Sequence, residues 1–158
     1  MIMDDRLEFA DAVSVVNAAG TFLIGDVIDL GLAPRDVGNG EEMFFAITVD
    51  TEIITAGTAG TIKFQLVSDA QAAILTDGSA SVHADSGTYV TGSAAANDPL
   101  LNAGAITYFV ALPIQGRVYE RYLGVLATIG TTAVTAGKIN AFLTMDKTGW
   151  RAYQKAAF

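Results

Sequence analysis

The sequence predicts an all-β protein of about eight antiparallel strands with little helix. Short segments with strand-like alternation recur at intervals of about 8–12 residues, and Gly- and Thr-rich stretches such as TAGTAGT at 55–61 and GTTAVTAG at 130–137 lie between them as turns. Strong helical periodicity is missing. This arrangement is typical of a β-sandwich or a barrel, and eight strands fit a jelly-roll β-sandwich.

The clearest strand signals lie at 42–50 and 61–67. In 61–67, apolar Ile62, Phe64 and Leu66 alternate with polar residues. In 42–50, every second residue from Met43 is apolar, and the opposite face is mixed. A period of two with β-branched and aromatic residues indicates half-buried strands.

Five further strands are expected at about 21–30, 80–91, 105–112, 119–128 and 139–146. Segment 105–112 is apolar on both faces, so we place it centrally in a sheet, with Pro113 ending it. Residues 4–18 fit a short helix. The Ala-rich residues 69–75 also suggest helix, but a loop or a single turn is the better interpretation.

All 158 residues are expected to form a single jelly-roll domain, 1–158. Residues 1–20 are expected to form an N-terminal arm and 147–158 a C-terminal tail, while 32–42 and 92–104 read as long surface loops. No apolar run reaches the roughly 20 residues of a spanning helix, and the acidic N-terminus does not resemble a secretory signal. The chain has no cysteine, which excludes disulfides and thiolate metal sites.

Negative charge is concentrated in the first third of the sequence. The formal net charge is −8, and residues 1–52 hold eleven of the 17 acidic residues but only Arg6 and Arg35 of the basic ones. Affinity for nucleic acid depends largely on Lys and Arg, so a nucleic-acid partner is not expected. The acidic third suits a partner with a basic surface, although a negative surface also simply keeps a protein in solution.

Residues that carry catalysis are sparse. His83 is the only histidine, which excludes a two-histidine metal site within one chain. Ser81, His83 and Asp85 alternate along one predicted strand, but residues i and i+2 of a strand lie about 6.6–6.8 Å apart and do not converge as a triad must. Carboxylate pairs such as Asp26/Asp29 are too frequent to indicate a glycosidase, and no phosphate-binding glycine loop occurs. We therefore expect no catalytic, cofactor-binding or metal-binding residues.

Candidate contact residues lie instead near the two termini. The tail is rich in Trp, Tyr and Arg, which are enriched at interface hot spots, and the N-terminal arm is amphipathic. Six residues are predicted to contact another chain: Leu7, Phe9, Trp150, Arg151, Tyr153 and Phe158. Two alternatives stay open, because the tail aromatics could fold back to cap the sandwich and the arm could form an edge strand.

Four stretches of the sequence resemble a known family. They are MIMDDRLEFADAV at the start, IKFQLVSDA at 62–70, YFVALPIQGRVYERYLGVLATIG at 108–130 and TAGKINAFLTMD at 135–146. These stretches are similar to the jelly-roll capsid cement proteins of tailed bacteriophages, of the type known from Bordetella phage. The similarity runs through nearly the whole chain and includes no catalytic signature.

The resemblance implies a non-enzymatic virion protein on the outer capsid surface, made in the host bacterial cytoplasm. Such proteins bind the shell of major capsid protein and staple adjacent capsomers against the pressure of packaged DNA. Members of that family act as dimers on twofold and quasi-twofold axes and other cement proteins as trimers, so a homodimer is favoured over a homotrimer. No cofactor and no nucleic-acid or membrane partner is implied. The alternative function is a carbohydrate- or receptor-binding β-sandwich module of a phage.

Overall fold

The computed structural model describes residues 5–32, 37, 41–57, 60–93, 96–113 and 117–146. Within them lie eight β-strands and two short 3₁₀ turns, Asp5–Leu7 and Pro99–Leu101. The strands are β1 (Glu8–Ser14), β2 (Gly20–Asp29), β3 (Phe44–Thr55), β4 (Gly60–Asp69), β5 (Ser81–Thr91), β6 (Ile106–Ala111), β7 (Tyr122–Gly130) and β8 (Val134–Thr144). None of the helical segments in these ranges is long and apolar enough to cross a membrane.

The strands form two four-stranded sheets. The first, called the β1 sheet, has the order β1-β8-β3-β6, and the second, called the β2 sheet, has the order β2-β7-β4-β5. Every pairing is antiparallel, and every connection except that from β4 to β5 leads from one sheet to the other. Two four-stranded sheets connected in this way form a jelly roll, so the predicted fold class is confirmed.

Alternate side chains from both sheets meet in one apolar core. The predicted inward faces of β3 and β4 are confirmed, because Phe45 and Ile47 pack in the same buried cluster as Ile62, Phe64 and Leu66. Phe9 of β1 stands edge-on to Phe45, with ring centroids 6.0 Å apart and ring planes at 84°. Burying one side chain of this size stabilises the fold by about 1.5–3 kcal/mol, so the alternation itself drives the sheets together.

The N-terminal segment is a strand, and the helix suggested for residues 4–18 is wrong. Only Asp5–Leu7 make a 3₁₀ turn, and β1 follows at once as an edge strand paired with β8. Tertiary pairing decides this, since the segment buries Phe9 and Val15 by joining a sheet. The pairing with β8 shifts register twice, and Ala12 takes a positive φ of 48°. These irregularities interrupt the period of two, so the spacing of apolar residues in this segment resembles that of a helix.

The central position expected for segment 105–112 is also wrong. β6 lies at the edge of the β1 sheet and pairs with β3. Its second apolar face has another origin: Phe109 stacks on Phe44, with ring centroids 5.1 Å apart and planes at 11°, and neither side chain belongs to the core cluster between the sheets. An apolar outer surface on the β1 sheet, and not a central position, explains the pattern.

Strand direction places the loops at two ends of the sandwich. Asp29 pairs with Tyr122 and Phe44 pairs with Thr144, so β2 and β8 end where β7 and β3 begin. We call this the terminal end, because β1 also begins there. It carries connections 30–43, 70–80 and 112–121, and the opposite end carries 15–19, 56–59, 92–105 and 131–133.

A glycine lets the two edge strands β1 and β2 approach each other. Gly25 lies in β2 with φ +68°, within a shift of register between Ile24 and Ile28. A Cβ atom at this position would overlap the carbonyl oxygen of Phe9 in β1. Both the left-handed backbone and the close contact therefore require glycine here.

Gly25→Ala should destabilise the protein by about 2–5 kcal/mol, from backbone strain plus overpacking against β1. Gly87→Ala is the matched control: Gly87 also lies in a strand, with φ +74°, but a Cβ there meets nothing within 4 Å. The control should lose only about 1–2 kcal/mol. Urea unfolding followed by circular dichroism measures both, and equal losses would contradict the proposed strand contact.

Candidate interaction surface

Two of the six predicted contact residues lie within the described part of the chain. Phe9 is buried in the core beside Phe45, so its side chain offers no surface to another chain in this fold. Leu7 is half-buried and packs against the same core. Of the alternatives left open for the N-terminal arm, the described residues form the edge strand β1. Trp150, Arg151, Tyr153 and Phe158 lie outside the described residues.

The three most exposed large apolar side chains of the described residues flank strand ends at the terminal end. Leu32 is 81% exposed, Val118 82% and Met145 61%. Each follows or precedes a strand terminus at this end: Leu32 comes after β2, Val118 before β7 and Met145 after β8. Single exposed apolar residues are ordinary, but several at one end of a domain are typical of a contact surface.

The sequence does not mark these residues as a group: Leu32 and Val118 lie outside the predicted strands, whereas Met145 falls inside the strand predicted at 139–146, which in the structure ends at Thr144. Leu32 begins the long loop that the sequence singles out, where it stands between Gly31 and Ala33. Which loops share an end depends on the strand order, which a single sequence does not display.

An acidic groove adjoins the terminal end. It lies between edge strands β1 and β2 and has a volume of about 570 Å³. Its lining includes the carboxylates of Glu8, Asp11 and Asp26 and one basic residue, Arg6. Asp29 closes one side and is held in a two-point ion pair by Arg121, with Nε–Oδ1 at 2.9 Å and Nη2–Oδ2 at 2.8 Å. The acidic first third of the sequence is therefore gathered partly onto one edge of the fold.

The groove carries charge but no metal-holding geometry. Throughout the described ranges, no three or more His, Asp or Glu side chains are placed to hold a metal ion. Carboxylates spread along two strands instead produce a negative surface, which attracts basic groups over a distance of about a Debye length.

His83 stands at the centre of a polar cluster at the terminal end. Its Nε2 lies 2.7 Å from the Ser68 Oγ, which also accepts a 2.9 Å hydrogen bond from the Glu120 backbone N–H. The Ser81 hydroxyl donates to Glu120 Oε1 at 2.8 Å. The imidazole stacks on Tyr119, with centroids 3.9 Å apart. The cluster thus ties β4 and β5 to the segment that enters β7.

The serine of this cluster is not exposed to solvent. Ser68 pairs with the histidine and is fully buried. Asp85, the third residue of the Ser81, His83 and Asp85 alternation, accepts a 2.8 Å hydrogen bond from Gln65 and pairs with Lys63 at 3.4 Å.

Burial shifts two titrating groups of the cluster. The pKa of His83 is lowered mainly by burial, with nearby Arg117 lowering it further and Glu120 partly opposing both. Burial raises the pKa of Tyr119 to about 12, and its hydroxyl donates to the Pro113 carbonyl at 3.3 Å. Both rings therefore stay uncharged at neutral pH and pack as apolar surface.

The lowered pKa of His83 predicts a loss of stability in mild acid. The unfolded chain takes up a proton near the ordinary value of 6.5 while the folded chain resists it, so stability is full above about pH 6.5 and falls below it. The thermal midpoint should therefore drop between about pH 6.5 and pH 5, above the range in which carboxylates titrate. The His83→Gln variant should show a flatter profile, and identical slopes in the two proteins would contradict this assignment.

Comparison with known proteins agrees with the phage resemblance at the level of the family. No curated protein matches the chain. The model of the Bbp16 family, described as Bbp16, matches residues 9–143, which include most of β1, nearly all of β8 and every strand between them. The family's name points to a protein of Bordetella phage. The chain therefore belongs to the Bbp16 family.

Proposed function

We propose that this chain is a capsid cement protein of a tailed phage. It binds the outer surface of the major capsid protein shell and joins neighbouring capsomers against internal DNA pressure. The observation that carries the proposal is the family match over 9–143, which coincides with the stretches that resemble the cement proteins. The role is structural, with no enzyme activity, no cofactor and no nucleic-acid or membrane partner.

The terminal end is the part of the fold that suits a capsid contact. Leu32, Val118 and Met145 stand exposed there on loops of a rigid sandwich. Covering one such side chain contributes about 1.5–3 kcal/mol, so a few of them supply a useful share of the binding energy.

The acidic groove gives this contact an orientation. Glu8, Asp11 and Asp26 form a negative edge next to the apolar end. A capsid surface with basic residues opposite this edge would draw the protein in and turn the apolar end toward the shell. Charge then determines how fast the protein associates with the capsid and in which orientation, while apolar burial determines how slowly it dissociates.

Self-association completes the proposal. A homodimer, with a homotrimer as the alternative, contacts more than one capsomer at once. After the first contact forms, the second becomes intramolecular and its effective concentration rises. Modest affinity at each contact then yields a durable link between capsomers.

Replacing the apolar contacts should weaken capsid binding. We expect the Leu32→Ser, Val118→Ser double variant to bind at least about tenfold more weakly, since two buried side chains are lost. Co-sedimentation with capsids that lack this protein measures the affinity. Val90→Ser is the matched control, because Val90 is 52% exposed near the end of β5, at the opposite end of the sandwich.

Unchanged binding by the double variant would remove the terminal end from the proposal. A failure of the unmodified protein to bind such capsids would contradict the cement role itself. It would favour the carbohydrate- or receptor-binding alternative, which a glycan array then tests.

Capsid binding should also weaken with salt. From about 0.1 M to about 1 M salt the Debye length falls from about 10 to about 3 Å, which screens the acidic groove. The Asp11→Asn, Asp26→Asn double variant should show a smaller salt dependence, whereas Glu52→Gln, outside the groove lining, should behave as the unmodified protein. A salt-independent affinity would mean that apolar contacts dominate.

A further inference from the structure

The polar cluster at the terminal end holds a short segment of chain against the sandwich. We call residues 117–120, which lead into β7, the entry segment. Its Glu120 backbone N–H donates to Ser68 Oγ at 2.9 Å, and its Glu120 carboxylate accepts from the Ser81 hydroxyl at 2.8 Å. Ser68 and Ser81 are register partners in β4 and β5. Hydrogen bonds therefore join the entry segment to these two strands at one place.

His83 takes part in both sides of this contact. Its ring stacks on Tyr119 of the entry segment, with centroids 3.9 Å apart and ring planes at 18°. Its Nε2 lies 2.7 Å from Ser68 Oγ, the same atom that accepts the Glu120 N–H. One buried hydroxyl thus links the imidazole to the backbone of the entry segment, so a change at the imidazole is felt by that backbone.

Protonation of His83 weakens this arrangement. Ser68 Oγ already accepts the Glu120 N–H, so the hydroxyl uses its own proton when it donates to an uncharged Nε2. An imidazolium carries N–H groups on both ring nitrogens and accepts no hydrogen bond. Protonation therefore takes this acceptor from a fully buried hydroxyl and places a positive charge on a partly buried ring. Moving the ring toward water lowers this cost, and the stack on Tyr119 is then lost.

The groups around the imidazole are arranged against its protonation. Burial, the largest effect, lowers the pKa of His83, while Glu120 raises it and Arg117 lowers it. Tyr119, the ring in direct contact, stays neutral because burial raises its pKa to about 12. The closest acids along β5 and β4 are Asp85 and Asp69, and their carboxylates are hydrogen-bonded to other groups. The entry segment itself thus supplies the two charges that act on the ring.

We propose that the His83 cluster is an acid-sensitive switch, which holds the entry segment on the sandwich at neutral pH and releases it in mild acid while the sheets stay folded. Arg121 forms the hinge, because its carbonyl accepts the Leu30 N–H at 2.8 Å and its guanidinium pairs with Asp29. Val118 lies in the released segment, so its exposed side chain loses its fixed position at the terminal end. The effect on capsid binding rests on the proposed function, whereas the release itself does not.

Hydrogen exchange of single amides, followed by NMR on the full chain at about pH 7 and about pH 5.5, tests the release. The protection factor of the Glu120 N–H, corrected for the intrinsic pH dependence of exchange, should fall several-fold, since uptake of one proton changes an equilibrium by at most about tenfold per pH unit. The Val134 N–H, which donates to the Asn17 carbonyl at the opposite end, is the control and should keep its protection. Constant protection at Glu120, or an equal fall at Val134, would overturn the proposal.

Two charge variants distinguish titration of His83 from a contact that is merely weak. Arg117→Gln removes a charge that opposes protonation of the ring, so the fall in protection should become smaller. Glu120→Gln removes a charge that favours protonation but keeps an oxygen that accepts from Ser81, so the fall should become larger. His83→Gln should abolish the fall. Changes of the same sign in the two charge variants, or no change in either, would show that His83 is not the titrating group of a switch.

Capsid co-sedimentation at the same two pH values separates this inference from the cement role. The unmodified protein should bind several-fold more weakly at about pH 5.5, and His83→Gln, the control for other effects of pH on the capsid, should not. Equal affinity of the unmodified protein at both pH values would overturn the link between the switch and the capsid contact. If the protein fails to bind even at neutral pH, the cement role is contradicted, and the exchange measurements alone decide whether the switch exists.

Discussion

The packing of two sheets on one shared apolar layer is the constraint on which the rest of this molecule depends. Side chains such as Phe45 and Phe64 are fully buried only when both sheets are present, so neither sheet is stable alone. Since nearly every connection crosses between the sheets, each loop must pass over one of the two ends. The loops and their polar and charged residues therefore lie at the ends and edges, while the layer between the two sheets is mainly apolar.

The edges of the sandwich show how the fold handles unpaired strands. β1 is irregular, with two shifts of register, and carries acidic side chains, which discourages pairing with another strand. Its neighbour β2 comes close through Gly25, so these two edges shield each other. The acidic groove is a consequence of this arrangement: the charges that protect the edges also create a negative surface suited to a basic partner.

The polar cluster around His83 illustrates why residue types alone are poor evidence for catalysis. A serine, a histidine and a glutamate meet at hydrogen-bond distances, yet the serine is fully buried and its oxygen already accepts a backbone N–H. The hydrogen bonds of the cluster pair the polar groups at this end of the core. They also hold the segment before β7 against β4 and β5. Because burial lowers the pKa of the histidine, this cluster stabilises the fold more at neutral pH than in mild acid.

The sequence by itself determined the strands at 42–50 and 61–67 and which face of each is buried. The alternation in 42–50 and 61–67 is local, and a side-chain period of two leaves only one way to bury Phe45 or Phe64. The seven strands located in the sequence and the Gly-rich turns between them were enough for the fold class. Tertiary structure alone decided which strands are neighbours. It placed β6 at an edge, made residues 8–14 a strand, buried Phe9 and gathered Leu32, Val118 and Met145 at one end. These properties depend on pairings between residues far apart in the chain, and a one-dimensional pattern records how apolar a residue is but not which distant segment will cover it.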